Sequence, residues 1–269
     1  MAAEAATFLA HCRTGDHIVC IGEVYGGTFE LLGDNLPQLG ITTTFLRADE
    51  ADRLPEVLTD RTRIVFFETP ANLTLTVFDI ADLSARARAV GALTVVDNTF
   101  ATPVNQNPLH HGADLVVHSA TKYLGGHSDL TAGVLTGTAE HLAPVMGWRK
   151  NLGQIIAPET AFLLARSLRS LPVRVRAQND TAKAVAAFLA AHPRVARVHY
   201  VDDVTAEPVH RGRYQAVVRP PLVSEPRTQI QTSHRIGGPG DLPVVRPADD
   251  VRADGGRGRQ HVLALALRG

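Results

Sequence analysis

Five short runs within the first 120 residues are apolar on both faces: HIVCI (17–21), ITTTFL (41–46), TRIVFFE (62–68), ALTVVD (92–97) and ADLVVHS (113–119). A strand of that kind must be covered on both sides, whereas an antiparallel sheet with one wet face alternates polar and apolar residues. Helical patterns precede or separate the runs: AAEAATFLAHC, TFELLGDNLPQL, ADRLPEVL and IADLSARARAV. A helix between successive strands supplies the crossover that parallel pairing requires. The expected fold class is α/β, a mainly parallel sheet flanked by helices. Ligands of such sheets gather at the carboxyl ends of the strands, so the residues closing each run are the first candidates for chemistry.

Further along, residues 155–192 read as two helices broken near Pro172, and RVARVHY (194–200) reads as one more strand that opens a second domain. After Val201 the composition changes: Arg, Pro, Gly and Asp dominate and lysine is absent. A segment this poor in apolar periodicity is expected to be loosely packed or disordered. Its arginines are interspersed with Asp and Glu, which argues against a basic nucleic-acid tail. Residues 1–200 are thus expected to form the large domain and 201–269 an atypical segment.

The 27 basic side chains balance 27 acidic ones, so net charge indicates neither a nucleic-acid nor a membrane partner. No apolar run reaches the roughly 18 residues needed to span a bilayer. The opening MAAEAATFLAHC lacks a basic start and a cleavage site, which points away from secretion and toward the cytoplasm. Cys12 and Cys20 form no disulfide framework and match no zinc spacing, so no metal site is expected.

Of the 27 Lys and Arg residues, lysine occupies only positions 122, 150 and 183. Lys122 follows an apolar strand in DLVVHSATKYLGGHSD, and a primary amine can lose its proton and attack a carbonyl where a guanidinium cannot. Asp97 closes the preceding strand, and Ser119 and Thr121 flank the lysine on its N-terminal side. Singly, Asp97 also reads as a turn former or helix cap, and the hydroxyls as turn hydrogen-bonders. Together they meet the needs of pyridoxal phosphate: an amine for the aldehyde, a carboxylate to keep the pyridine nitrogen protonated, and hydroxyls for the phosphate. Tyr25, just past the first strand in EVYGGTFELL, offers an aromatic face for the ring or is an ordinary half-buried tyrosine. No G-x-G-x-x-G follows a strand and no G-x-x-x-x-G-K-[ST] occurs, which removes the main support for nicotinamide or nucleoside triphosphate binding. HSD (127–129), after a Gly-Gly pair, reads as a structural turn.

Four motifs, SATKYLGGHSD, VVDNTFATP, ETPANLTL and YGGT, resemble the Cys/Met-metabolism, or trans-sulfuration, family of pyridoxal-phosphate enzymes. That family includes cystathionine γ-synthase, cystathionine γ-lyase, O-acylhomoserine sulfhydrylase and methionine γ-lyase. The resemblance covers residues 1–200 and implies the type I pyridoxal-phosphate transferase fold, with pyridoxal 5'-phosphate as cofactor. By it, Lys122 resembles the Schiff-base lysine and Asp97 the partner of the pyridine nitrogen. Ser119 and Thr121 resemble phosphate ligands, and Tyr25 the tyrosine that stacks on the ring and helps deprotonate the incoming amine. Asn72 is similar to the asparagine near the phenolic oxygen, and Met1 to the methionine of an SGM phosphate loop. The implied chemistry is γ-replacement or γ-elimination on homoserine esters or cystathionine, by a homo-oligomer, dimer or tetramer. Gly27 stands where methionine γ-lyases usually carry cysteine, which places that activity second. The family's Ser-Gly cradle would precede Met1, and no pattern like its carboxylate-binding RLSVGIE occurs after residue 200. The expected large domain is therefore N-terminally truncated, followed by an atypical, frame-shifted C-terminal segment. The alternative function is a catalytically silent remnant that binds only cofactor or a partner.

Overall fold

The computed structural model describes residues 1–201 and the backbone of His261–Leu263. Helix α1 (Ala2–His11) leads to strand β1 (His17–Ile21), and α2 (Gly26–Glu30) continues through one wider turn and a 3-10 turn to β2 (Thr42–Leu46). Short α3 (Leu54–Val57) precedes β3 (Thr62–Glu68), and α4 (Ile80–Arg88) precedes β4 (Leu93–Asp97). One turn of helix, α5 (Thr102–Asn105), separates β4 from β5 (Leu115–Ser119). Then come β6 (Gly133–Gly137), α6 (Ala139–Asn151), α7 (Pro158–Leu168), α8 (Leu171–Ala191) and β7 (His261–Leu263).

The sheet order is β2-β1-β3-β4-β5-β6-β7. Strands β1 to β5 pair in parallel, and β6 runs antiparallel to both β5 and β7. From β1 the chain moves outward to β2, then returns past β1 to β3 and proceeds the other way. Connections leaving the carboxyl ends of β1 and β3 therefore diverge, and the divergence opens a crevice there.

Successive strand residues face opposite sides, so each doubly apolar run feeds two cores. Ile18, Cys20, Ile64, Phe66, Val95, Leu115 and Val117 pack with Ala3, Ala6 and Phe8 of α1 and Leu142 and Val145 of α6. Val19, Ile21, Val65, Phe67, Val96 and Val116 pack on the other face with Leu54 of α3 and Ile80, Leu83 and Ala87 of α4. Phe8 meets Phe66 edge-on, ring centroids 5.5 Å apart. A third cluster joins Ala120, Leu124, Leu130, Ala132 and Val134 to Leu164, Leu171 and Val175 of α7 and α8. Cys12 and Cys20 are buried free thiols.

One expectation changes: residues 194–200 carry no strand. The two helices expected over residues 155–192 are α7 and α8; they part at residues 169–170, and Pro172 sits in the first turn of α8, where its missing N–H has no partner to lose. Strand β6 and helix α6 arise from stretches that carry no clear periodic signal: GVLTG is glycine-bounded, and α6 contains Pro144. The expectation of a loosely packed 201–269 segment lies outside the described residues, apart from Val201 and the backbone of β7. Among the described residues no helix is long and apolar enough to cross a membrane.

Candidate active site

The carboxyl edge of the sheet gathers the candidate residues along one connected path. Glu68 and Asp97, which end β3 and β4, are register partners. Glu68 Oε1 accepts the Tyr25 N–H at 2.6 Å and its Oε2 accepts the Asn72 N–H at 3.2 Å. Asp97 Oδ1 accepts the Thr99 N–H at 2.7 Å, and Thr99 Oγ1 accepts the Ser119 N–H at 2.8 Å. The chain then turns: the Lys122 N–H donates to Ser119 O at 3.0 Å, and the Gly126 N–H to Lys122 O at 2.7 Å. The Lys122 side chain is exposed. The Tyr25 ring folds back over Gly27, since a Cβ there would lie 2.7 Å from Tyr25 Cε1 and 3.0 Å from Met1 Sδ. Met1, Tyr25, Asn72, Asp97, Ser119 and Lys122 thus share one edge.

Thr121 shares the turn but spends its hydroxyl there. Its Oγ1 donates to Ala132 O at 3.3 Å and accepts the Ala132 N–H at 3.0 Å. A phosphate oxygen would compete with that carbonyl for the single proton.

Three carboxyls are buried at this edge: Asp97, Glu68 and Glu4, whose Oε2 accepts from Thr28 Oγ1 at 2.7 Å. Among the described residues, no ion pair engages any of the three. Burial pushes the Asp97 carboxyl up. Burial, then the charge of Asp97, pushes Glu4 up to about 7 and Glu68 up to about 8. The Met1 ammonium opposes the rise at Glu4 and Asp97 without overcoming burial; buried acidic groups favour a cationic guest, and a protonated pyridine nitrogen beside Asp97 has that chemistry. The residues present fit pyridoxal phosphate.

Second supports lie behind and beside this edge. Gln106 Nε2 donates to Thr69 O and to Asn98 Oδ1, both at 2.8 Å, and Asn98 Nδ2 donates to Gln106 O, locking the segment after Asp97. His118, next to Ser119, is buried and pushed down to about 4, so it stays neutral. Arg174 of α8 clamps the lysine turn: Nη1 donates to Tyr123 O at 2.8 Å, and Nη2 to Leu124 O at 3.4 Å and Ser167 O at 3.0 Å. Glu4, Glu68, Thr99 and Arg174 escaped the sequence reading. Glu68 alone carried a usable signal, because it closes TRIVFFE as Asp97 closes ALTVVD.

This sheet, with its lysine turn after the fifth strand, is the fold of type I pyridoxal-phosphate enzymes. A crystal structure of cystathionine γ-lyase from Lactobacillus plantarum complexed with L-serine superposes with a TM-score of 0.70 at 36% identity, covering 73% of this chain and 51% of that one. The chain belongs to the Cys/Met metabolism PLP-dependent enzyme family, whose profile matches residues 1–215. It is 43% identical over 187 residues to a cystathionine β-lyase of Lactococcus lactis subsp. cremoris, covering 69% of this chain and 49% of the relative. It is 39% identical over 201 residues to a cystathionine γ-synthase of Mycobacterium leprae, covering 74% and 52%. The chain spans about half the length of the curated relatives it matches.

Proposed function

We propose that this chain forms the large domain, residues 1–200, of a cytoplasmic, homo-oligomeric trans-sulfuration enzyme. It acts by γ-replacement or γ-elimination on homoserine esters or cystathionine. The observation that supports the reading best is the exposed Lys122 on a turn tied through Ser119 and Thr99 to the buried carboxyl of Asp97. Pyridoxal phosphate, when bound, supplies an electron sink for the bond broken at the substrate's α-carbon. Asp97 holds the proton at the pyridine nitrogen. Lys122 would hold the cofactor through its aldehyde and, with substrate bound, would move protons at the substrate carbons. Ser119 and Met1, and Thr121 if its hydroxyl proton leaves Ala132 O, would hold the phosphate; Tyr25 would cover the ring and take a proton from the substrate amine, and Asn72 would orient the phenolic oxygen.

A second reading is β-elimination on cystathionine, favoured by the identity to the Lactococcus enzyme of that name. The methionine γ-lyase reading ranks below both, because Tyr25 occupies the space over Gly27 that a larger side chain would need. The test is a cofactor titration of the purified protein. Bound pyridoxal phosphate should give a visible absorbance band that Lys122→Ala abolishes. No band in the wild type refutes the enzyme reading and leaves the silent remnant. With a band present, products separate the activities: cystathionine gives pyruvate by β-elimination and 2-oxobutyrate by γ-elimination, whereas O-succinylhomoserine plus cysteine gives cystathionine by γ-replacement.

A further inference from the structure

We propose that Glu68 is a positioning residue of this site: its carboxyl group spans the crevice between β1 and β3 and sets Tyr25 and Asn72 in register with Asp97. The proposal rests on the reading of Tyr25 and Asn72 as cofactor-handling residues given above. The sheet itself does not hold these two together. The β1–β3 ladder ends at Ile21↔Phe67, and beyond it the two connections diverge. Glu68 is the next residue after the ladder, and its two oxygens take one backbone N–H from each connection. Tyr25 and Asn72 are held by their main chains, so their side chains remain available to a ligand.

Core packing reaches Val24 and Ala71 but stops there: Tyr25 is 53% exposed and Leu73, on the other side of Asn72, is 88% exposed. Farther out, Thr74 Oγ1 donates to Glu23 Oε2 at 3.1 Å, a second bridge between the same connections. Leu73 and Leu75 also sit at φ 67° and 58°, a left-handed conformation that a leucine leaves unless something holds it. On the Tyr25 side, Thr28 is tied to Glu4 at the far end of the same turn, so two carboxyls bracket residues 25–28. Burial beside Asp97 holds the Glu68 proton up to about pH 8, so the group is a neutral acid below that and a carboxylate above it. In either form its two oxygens each face a backbone N–H, whereas a glutamine has one carbonyl and turns its amide donors toward the second N–H.

The test compares wild type with Glu68→Gln and Glu68→Asp, each alone and with Tyr25→Ala. Cofactor affinity is read by absorbance titration, the bound ring's surroundings by visible circular dichroism, and the two N–H groups by amide hydrogen exchange in cofactor-free protein. Glu68→Gln should speed exchange at Tyr25 or Asn72 and weaken cofactor binding, each by about tenfold, the loss expected for one hydrogen bond. Its dichroic band should change amplitude. In the Tyr25→Ala background the effect on affinity should shrink to about threefold, because part of what Glu68 positions is gone. Glu68→Asp, which keeps the carboxyl group but shortens the reach, should fall between, and it stands in if the glutamine variant loses cooperative unfolding. Unchanged affinity and dichroism in Glu68→Gln, or a full additive loss in the Tyr25→Ala background, overturns the proposal while the Lys122-dependent band keeps the site reading intact. A wild type without that band overturns the site reading and the proposal together.

Discussion

Gly126 is the position where a single methyl group should open the lysine turn. It sits at φ +74°, and a Cβ there would stand 2.1 Å from Arg174 Nη1 and 2.6 Å from Cζ. Gly126→Ala therefore carries two costs. Holding an L-residue in the left-handed region costs about 1 kcal/mol. Expelling the guanidinium breaks its bonds to Tyr123 O, Leu124 O, Ser167 O and Ser170 Oγ. Arg174 is only half-buried, so water replaces part of what is lost, and about 2 kcal/mol is a fair net figure for the set. The sum, about 3 kcal/mol, should lower Tm by about 6–12 °C for a domain of this size. Near-ultraviolet circular dichroism on heating measures it. In an Arg174→Met background the clash has no target, and Gly126→Ala should cost only the backbone share, about 1 kcal/mol. Strict additivity of the two substitutions, or a Tm drop below about 2 °C for Gly126→Ala, would refute the clamp.

The cofactor-free protein should lose stability as pH rises. Glu4 and Glu68 bind protons more tightly folded, at about 7 and about 8, than at the ordinary 4.5, so the native state holds more protons across that window. Stability present below pH 4.5 is therefore lost progressively as pH climbs through about 7 and 8, and Glu68→Gln should flatten the upper part of a Tm-against-pH series. Gly27→Ala should push the Tyr25 ring aside; that ring is half-exposed, so stability should change by less than about 1 kcal/mol while cofactor affinity, read by titration, falls severalfold. Phe66→Ala should cost about 3–5 kcal/mol in urea unfolding, because Phe66 is wholly buried against Phe8.

The parallel strands were legible because each feeds two cores at once: HIVCI places Ile18 and Cys20 on one face and Val19 and Ile21 on the other, so after His17 no residue reads as polar. Strand β6 was not, since Gly133 and Gly137 bound it and its pairing to β5 comes from a loop reversal that no local pattern announces. Asp97 and Lys122 were legible because a chemically active side chain ends an apolar strand or follows it closely. Glu68 has the same signature, yet its role depends on two backbone N–H groups contributed by separate connections, and backbone partners leave no residue-type trace. Arg174 is further from reach still: three of its four acceptors are carbonyls, and its shortest bond goes to a residue 51 positions earlier.

That distance bears on the order in which the chain is made. Strands β1 to β5 leave the ribosome, with Asp97 and the Lys122 turn among them, well before α8 does. Domains begin to organise from the N-terminus during synthesis, so the carboxyl groups take their places while the turn still lacks its clamp. Only when residue 174 has emerged and α8 has docked can Tyr123 and Leu124 be held. The turn that carries Lys122 thus has its own backbone bonds early and gains its clamp from α8 last.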